Sequence, residues 1–126
     1  MKSQERLYEK LRPGDAIYYA STLQMVTSQN LLFMSKTHHK GFYEAIDITP
    51  NVAKRFKFVP DATESVWQLN FNEHKIVNLY FEGKTLIKIR IRLVYPTDAL
   101  KWDFKPLQFH ELQQMTDILL NESYHD

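Results

Sequence analysis

The 126 residues suit one domain, predicted to span residues 1–126, and the 44% apolar and 25% charged residues are typical of globular proteins rather than of disordered chains. The absence of cysteine excludes disulfides, thiolate nucleophiles and cysteine zinc sites, and it favours a cytoplasmic location. The net charge of +1 is unevenly distributed: residues 36–92 carry +4 and residues 93–126 carry −4, so these parts either face different partners or neutralise each other in the fold.

The N-terminal part is predicted to form a short helix and then a strand. Ser3 can cap a helix at residues 4–11, and the Pro13-Gly14 pair stops it. Residues 15–20 follow as a strand rich in β-branched and aromatic side chains.

Residues 22–37 are open to two interpretations. They form either a hairpin, with strands at 22–27 and 31–37 and a turn at 28–30, or one buried helix over 23–34. The serines and threonines in this stretch favour the hairpin, because their side chains compete with the helical backbone.

The middle of the chain alternates between strand and helix signals. Residues 42–48 alternate with the period of a strand. Thr49 and Pro50 are typical of a helix cap and first helical position, which predicts a helix over 50–57.

The second half is predicted to hold a hairpin and a terminal helix. Three strands are expected at residues 65–71, 74–81 and 84–95, and Glu82-Gly83 is the expected turn between the last two. A loop with Trp102 and Phe104 follows, and the apolar spacing from residue 109 to about 121 predicts the last helix, with Ile118 widening its apolar stripe.

These elements predict an α+β fold. Strands that follow one another through short turns pair antiparallel, so we expect a strongly curved antiparallel sheet or open barrel of about seven strands with N-terminal and C-terminal helices. No apolar run is long enough for a membrane span, so no membrane association is expected.

The sharpest local pattern is a basic strand. Lys88, Arg90 and Arg92 alternate with isoleucines, so the three cations are predicted to project from one face of the sheet about 6.6 Å apart. In a hairpin turned at Glu82-Gly83, Lys75 would lie opposite Arg90. Such a ladder suits nucleic-acid phosphates or the carboxylates of a protein. The alternative is a solvated face whose charges prevent edge pairing.

A second basic group accompanies the predicted middle helix. Lys54, Arg55 and Lys57 are expected to be exposed around Phe56, which is expected in the core. If this helix lies beside the basic strand, both groups form one patch for an acidic partner.

Catalytic and metal signatures are weak. The sequence contains no phosphate-binding glycine loop, nucleophile elbow or zinc-protease motif, and the adjacent His38 and His39 lack a third ligand at a suitable spacing. No cofactor, metal or catalytic residue is therefore predicted, and a role as an enzyme is disfavoured but left open.

The sequence thus favours a non-enzymatic binding module that contacts nucleic acid or an acidic protein surface through its basic strand. Two alternatives remain. One is a small accessory or inhibitor protein, of the kind carried by phages or mobile elements, that acts by protein–protein interaction. The other is a small-ligand carrier or enzyme that uses the interior of a curved sheet.

Overall fold

A computed structural model describes residues 7–37, 43–95 and 99–126. Within them the chain is α+β, with four helices and two antiparallel sheets of three and five strands. Its contacts divide it into two compact units, one made of Met1–Ile46 with Gln108–His110 and the other of Asp47–Leu107 with Glu111–Asp126.

The helices are α1 (Leu7–Lys10), α2 (Ser28–Thr37), α3 (Pro50–Arg55) and α4 (Phe109–Leu120). The strands are β1 (Ala16–Tyr19), β2 (Thr22–Met25), β3 (Tyr43–Ala45), β4 (Val59–Pro60), β5 (Val66–Asn70), β6 (Lys75–Glu82), β7 (Thr85–Val94) and β8 (Ala99–Phe104). The predicted Ser3 cap, the His38-His39 pair and Pro96 lie outside the described residues.

The first unit is built on a small sheet of order β2-β1-β3. Its core is a cluster of Leu11, which follows α1, Ile17 of β1, Val26, which follows β2, and Met34 of α2. The helix α1 has four residues, too few to be stable as an isolated helix in water. Packing of α1 against this cluster therefore stabilises it.

Residues 22–37 combine parts of both sequence interpretations. The strand β2 forms as the hairpin interpretation predicts, but the expected strand at 31–37 is wrong, because those residues continue α2. The cause is a reciprocal cap: Thr27 Oγ1 accepts from the Asn30 backbone N–H at 3.1 Å, and Asn30 Oδ1 accepts from the Thr27 N–H at 3.0 Å. This is a capping box with Asn at the third helical position, so the expected turn is instead a helix start.

The second unit is built on a sheet of order β4-β5-β6-β7-β8. Ahead of it, Thr49 Oγ1 accepts from the Val52 N–H at 3.3 Å and Pro50 is the first residue of α3, which confirms the predicted helix start. One face of the sheet supplies much of the core of this unit, including Trp67, Val77, Leu79, Ile89 and Ile91.

The β6–β7 hairpin is confirmed, but its register differs from the expectation. Glu82 pairs with Thr85, so the turn residues are Gly83, at φ +62°, and Lys84. The register shifts again where Tyr80 pairs with Lys88 and Phe81 with Leu86, which leaves Ile87 as the extra residue of a bulge.

The displaced turn and the bulge together correct two predictions. Ile87, expected on the buried face with Ile89, is 50% exposed, whereas Ile89 is fully buried. Lys75 pairs with Leu93 instead of lying opposite Arg90, whose partner on β6 is Asn78.

Residues 99–104 were expected to be a loop and form the strand β8. They pair with β7 over six residues, from Ile89–Phe104 to Val94–Ala99. Trp102 and Phe104 are therefore half-buried side chains of a strand.

The last helix ends one residue earlier than expected, and a C-terminal segment follows it. Phe109, Leu112 and Leu120 of α4 are buried, but Ile118 is 69% exposed and does not belong to the apolar stripe as expected. Beyond the helix, the ring of Tyr124 stacks on Phe58 at a centroid distance of 5.9 Å.

The α+β class is confirmed, and the strands form two antiparallel sheets of three and five in place of one sheet of about seven. The strong curvature and the single domain stay predictions. In the part of the chain that the structure describes, no helix is long and apolar enough to cross a membrane.

Candidate binding face of the five-stranded sheet

The face of the five-stranded sheet opposite its core is polar. Pairing between neighbouring strands places these side chains on it: Val59, Val66, Gln68, Asn70, Ile76, Asn78, Tyr80, Glu82, Thr85, Lys88, Arg90, Arg92, Val94, Ala99, Lys101 and Asp103. Within the described strands it therefore carries four cations and two carboxylates. We call it the polar face.

The three predicted cations of β7 do project together from this face. Arg90 lies between Asn78 of β6 and Asp103 of β8, and Lys88 lies next to Tyr80. The intervening Ile89 and Ile91 are fully buried on the other side. The alternation from Lys88 onwards thus follows the period of two on which the prediction rests.

Arg90 is held in an ion pair with β8. Its Nε and one terminal nitrogen donate to the two carboxylate oxygens of Asp103 at 2.6 and 3.0 Å. These bonds lower the pKa of Asp103 and raise the pKa of Arg90 from their ordinary values. The arginine side chain is 24% exposed and the carboxylate 43%. Arg90 is therefore fixed in orientation, and part of its charge is balanced inside the sheet.

Arg92 belongs to a row of amides that crosses three strands. Its Nε donates to Asn78 Oδ1 at 2.9 Å, and Asn78 Nδ2 donates to Gln68 Oε1 at 2.9 Å. Gln68 Nε2 in turn donates to Asn70 Oδ1 at 2.8 Å. The partners in this row are neutral amides, so none of them balances the charge of the guanidinium.

Lys88 lies over an aromatic ring. Its Nζ is 4.4 Å from the centroid of Tyr80, and the guanidinium carbon of Arg90 is 5.9 Å from the same centroid. Both distances are in the range of cation–π attraction. Tyr80 is a half-buried part of the polar face.

The second predicted basic group lies on α3 and directly after it. Lys54, Arg55 and Lys57 are exposed and Phe56 is buried, as expected. Arg55 donates to both carboxylate oxygens of Asp126 at 2.7 and 2.9 Å. The group precedes β4, which two strands separate from β7 in the sheet order, and the single patch with the ladder stays a prediction.

The C-terminal segment balances part of the basic middle of the chain. In addition to the Arg55–Asp126 pair, Lys75 Nζ donates to Glu122 Oε2 at 3.1 Å. Lys75 pairs with Leu93 and so projects from the core side of the sheet, away from the polar face. At these positions the acidic and basic parts neutralise each other within the second unit.

The carboxylates of the described residues do not form a metal site. No group of three or more histidines and carboxylates with suitable geometry occurs among them, and His38 and His39 lie outside them.

Asp61 organises a turn: partial desolvation raises its pKa, but hydrogen bonds from Val66, Thr63 and Ser65 outweigh this and leave the pKa below its ordinary value.

Sequence reasoning missed the partners of the ladder. Asp103, Asn78 and Gln68 hold Arg90 and Arg92, and none was predicted as part of the site. One signal was available for Asp103, because residues 99–104 alternate between Leu100, Trp102 and Phe104 and the charged residues between them.

Comparison of the chain with protein-family models, curated proteins and solved structures finds no match in any of the three. The polar face is therefore interpreted from its own geometry.

Proposed function

We propose that the chain is a non-enzymatic binding module whose polar face contacts an acidic partner, with single-stranded nucleic acid as the partner that this face suits best. The observation that carries the proposal is the row of Lys88, Arg90 and Arg92 on one face of β7, held by hydrogen bonds and a ring contact. The two arginines, which hydrogen bonds hold in place, lose less entropy on binding than free side chains do.

Tyr80 favours nucleic acid over an acidic protein. A phosphate that draws Lys88 Nζ away from the ring, now at 4.4 Å, would uncover a surface on which a base can stack. The neighbouring amides of Asn70 and Gln68 supply further donors and acceptors of the kind that read base edges.

The experiment compares two triple variants with equal loss of charge. Lys88→Gln, Arg90→Gln and Arg92→Gln together change the polar face, and Lys54→Gln, Arg55→Gln and Lys57→Gln together change the group around α3. Each set breaks one arginine–aspartate pair, and the polar-face set also removes the hydrogen bond from Arg92 to Asn78. Thermal unfolding of both variants therefore checks that each is folded before binding is compared. Binding to a labelled 20-nucleotide single strand is measured by fluorescence anisotropy at several salt concentrations.

The polar-face variant is expected to bind at least about tenfold more weakly, and its salt slope to fall by about 2, because each neutralised phosphate of a single strand contributes about 0.7. The α3 variant is expected to bind like the unchanged protein. Equal losses in both variants, or a loss in the α3 variant alone, would contradict the proposal. Retention on polyglutamate without binding to nucleic acid would identify an acidic protein as the partner.

A second candidate is an accessory or inhibitor protein that acts by protein–protein interaction. Leu32 and Phe33 of α2 are 57% and 47% exposed, which places adjacent apolar side chains on the surface of the first unit. A pull-down in which Leu32→Glu removes a bound protein, while the polar-face variant retains it, would favour this candidate. The third hypothesis, a small-ligand carrier, requires a strongly curved sheet, and that curvature stays a prediction.

A further inference from the structure

The two edges of the five-stranded sheet differ in how well they are protected. The edge strand β4 has two residues, and one of them is Pro60, which cannot donate a ladder hydrogen bond. The opposite edge strand β8 has six residues, without proline. Among the described strands its one neighbour is β7, so its other side is an open edge.

The side chains of β8 divide by face. Lys101 and Asp103 are exposed on the polar face, in the positions directly opposite Arg92 and Arg90 of β7. On the other face, Leu100 is 52% exposed, and Trp102 and Phe104 are half-buried. An added strand would cover these apolar side chains, which the isolated chain leaves partly in water.

We propose that β8 pairs antiparallel with β8 of a second copy of this chain, about a two-fold axis through Trp102. In this register Trp102 lies opposite Trp102 of the other copy, and Lys101 lies opposite Asp103 in both directions. Leu100 lies opposite Phe104. Residues directly opposite in antiparallel strands are neighbours, so the pairing forms two ion pairs and an apolar row.

Charge selects this register over its neighbours. An axis through Lys101 would place the two lysines opposite each other, and an axis through Asp103 would do the same with the two aspartates. Like charges in directly opposite positions destabilise a strand pair. The axis through Trp102 instead places opposite charges together, and it is compatible with either alternation of the ladder hydrogen bonds.

The dimer would contain a continuous sheet of ten strands, because each copy supplies five. An axis perpendicular to the sheet keeps the two polar faces on the same side. The two β7 ladders would then lie three strand spacings apart, about 14 Å. This inference does not rest on the proposed function, since a dimer through β8 requires no bound partner.

The test is a charge swap followed by sedimentation. A six-residue strand pair is a small interface, so the unchanged chain is expected to dimerise with a dissociation constant of about 10–100 µM. Lys101→Glu and Asp103→Lys are each expected to weaken the dimer at least about tenfold, because the two-fold axis places each repulsive pair twice. An equal mixture of the two variants restores both opposite-charge pairs and is expected to dimerise like the unchanged chain.

Lys84→Glu, a lysine of the β6–β7 turn, is the matched control and is expected to leave dimerisation unchanged. Thermal unfolding of the Asp103→Lys chain checks that losing the contact with Arg90 leaves it folded, and the Lys101→Glu chain gives an independent reading, since it keeps that contact. A monomer at all concentrations up to about 1 mM would overturn the inference. So would a dimer indifferent to both substitutions, or a mixture that stays monomeric.

Because the chain contains no cysteine, an introduced one is its sole thiol. Trp102→Cys places two thiols on the proposed axis and is expected to give a disulfide-linked dimer under mild oxidation. Ile118→Cys, at an exposed position of α4, controls for random collisions. Equal cross-linking of the two variants would contradict the register.

Discussion

Tyr124 anchors the C-terminal segment to the second unit. It is 3% exposed, its ring meets Phe58 and Phe71 at centroid distances of 5.9 and 5.3 Å, and its hydroxyl lies 2.7 Å from Thr116 Oγ1. Burial raises the pKa of the phenol, although the hydrogen bond with Thr116 acts in the opposite direction. The ring packing and the hydroxyl contact can be separated by substitution.

Tyr124→Phe is expected to lower the free energy of unfolding by about 1 kcal/mol, the usual net contribution of one hydrogen bond. Thr116 keeps its bond to the Leu112 carbonyl at 2.8 Å, so it is not left unsatisfied. Tyr124→Ala removes the ring as well and is expected to cost about 3–5 kcal/mol. Urea denaturation of both variants measures the difference; equal losses would show that the ring packing contributes nothing.

For single residues, the sequence predicts the face of the strand on which a side chain lies better than it predicts which side chains that residue contacts. The period of β7 is enough to place Lys88, Arg90 and Arg92 on one face. It cannot show that Asp103 and Gln68 meet those cations, because these contacts span 13 and 24 residues and depend on strand order. The alternation of side chains along a strand determines the face of the sheet on which a residue lies. Its neighbours across the sheet depend on which strands pair and in which register.

Among the elements, the β6–β7 hairpin was predictable and its bulge was not. Gly83 marks the turn, and alternating isoleucines mark β7. A bulge adds one residue without changing the composition of a strand, so the pattern of Leu86, Ile87 and Lys88 gives no sign of it. Residues 28–37 illustrate the same limit, since the reciprocal Thr27–Asn30 cap decides between turn and helix.

The bulge gives opposite expectations for two isoleucines of the same strand. Ile87→Lys is expected to change the free energy of unfolding by less than about 0.5 kcal/mol, because the residue is 50% exposed and is the extra residue of the bulge. Ile89→Lys places an ammonium group at a fully buried position and is expected to cost more than about 4 kcal/mol or to prevent folding. Chemical denaturation followed by circular dichroism compares them. Similar losses at both positions would contradict the bulge.

At the scale of the whole molecule, acidic residues of the C-terminal part form ion pairs with basic residues from the middle of the chain. The acidic residues Asp103, Glu122 and Asp126 contact Arg90, Lys75 and Arg55 across 13, 47 and 71 residues. The sequence allowed two outcomes for these charges, and at these positions the neutralising one is observed. The four cations of the polar face still exceed its two carboxylates, which keeps a basic surface for the proposed partner.

This pairing predicts how stability depends on pH. Hydrogen bonds from Arg90 and Arg55 lower the pKa values of Asp103 and Asp126 below their ordinary values, although partial desolvation opposes the change. A carboxyl group whose pKa is lower in the folded than in the unfolded chain stabilises the fold above the unfolded value, about 3.9. This stabilisation is lost as the pH falls from there through the folded pKa.

Thermal unfolding at pH 7, 4 and 2.5, at low micromolar concentration, tests this expectation. The unchanged chain is expected to lose stability mainly below about pH 4, and the variant with Asp103→Asn and Asp126→Asn is expected to show a smaller decrease, since it has fewer such groups to protonate. The variant with Glu9→Gln and Glu44→Gln removes the same charge from exposed positions of the first unit and serves as the control. If the two double variants follow the same pH profile, the ion pairs of Arg90 and Arg55 do not stabilise the folded chain.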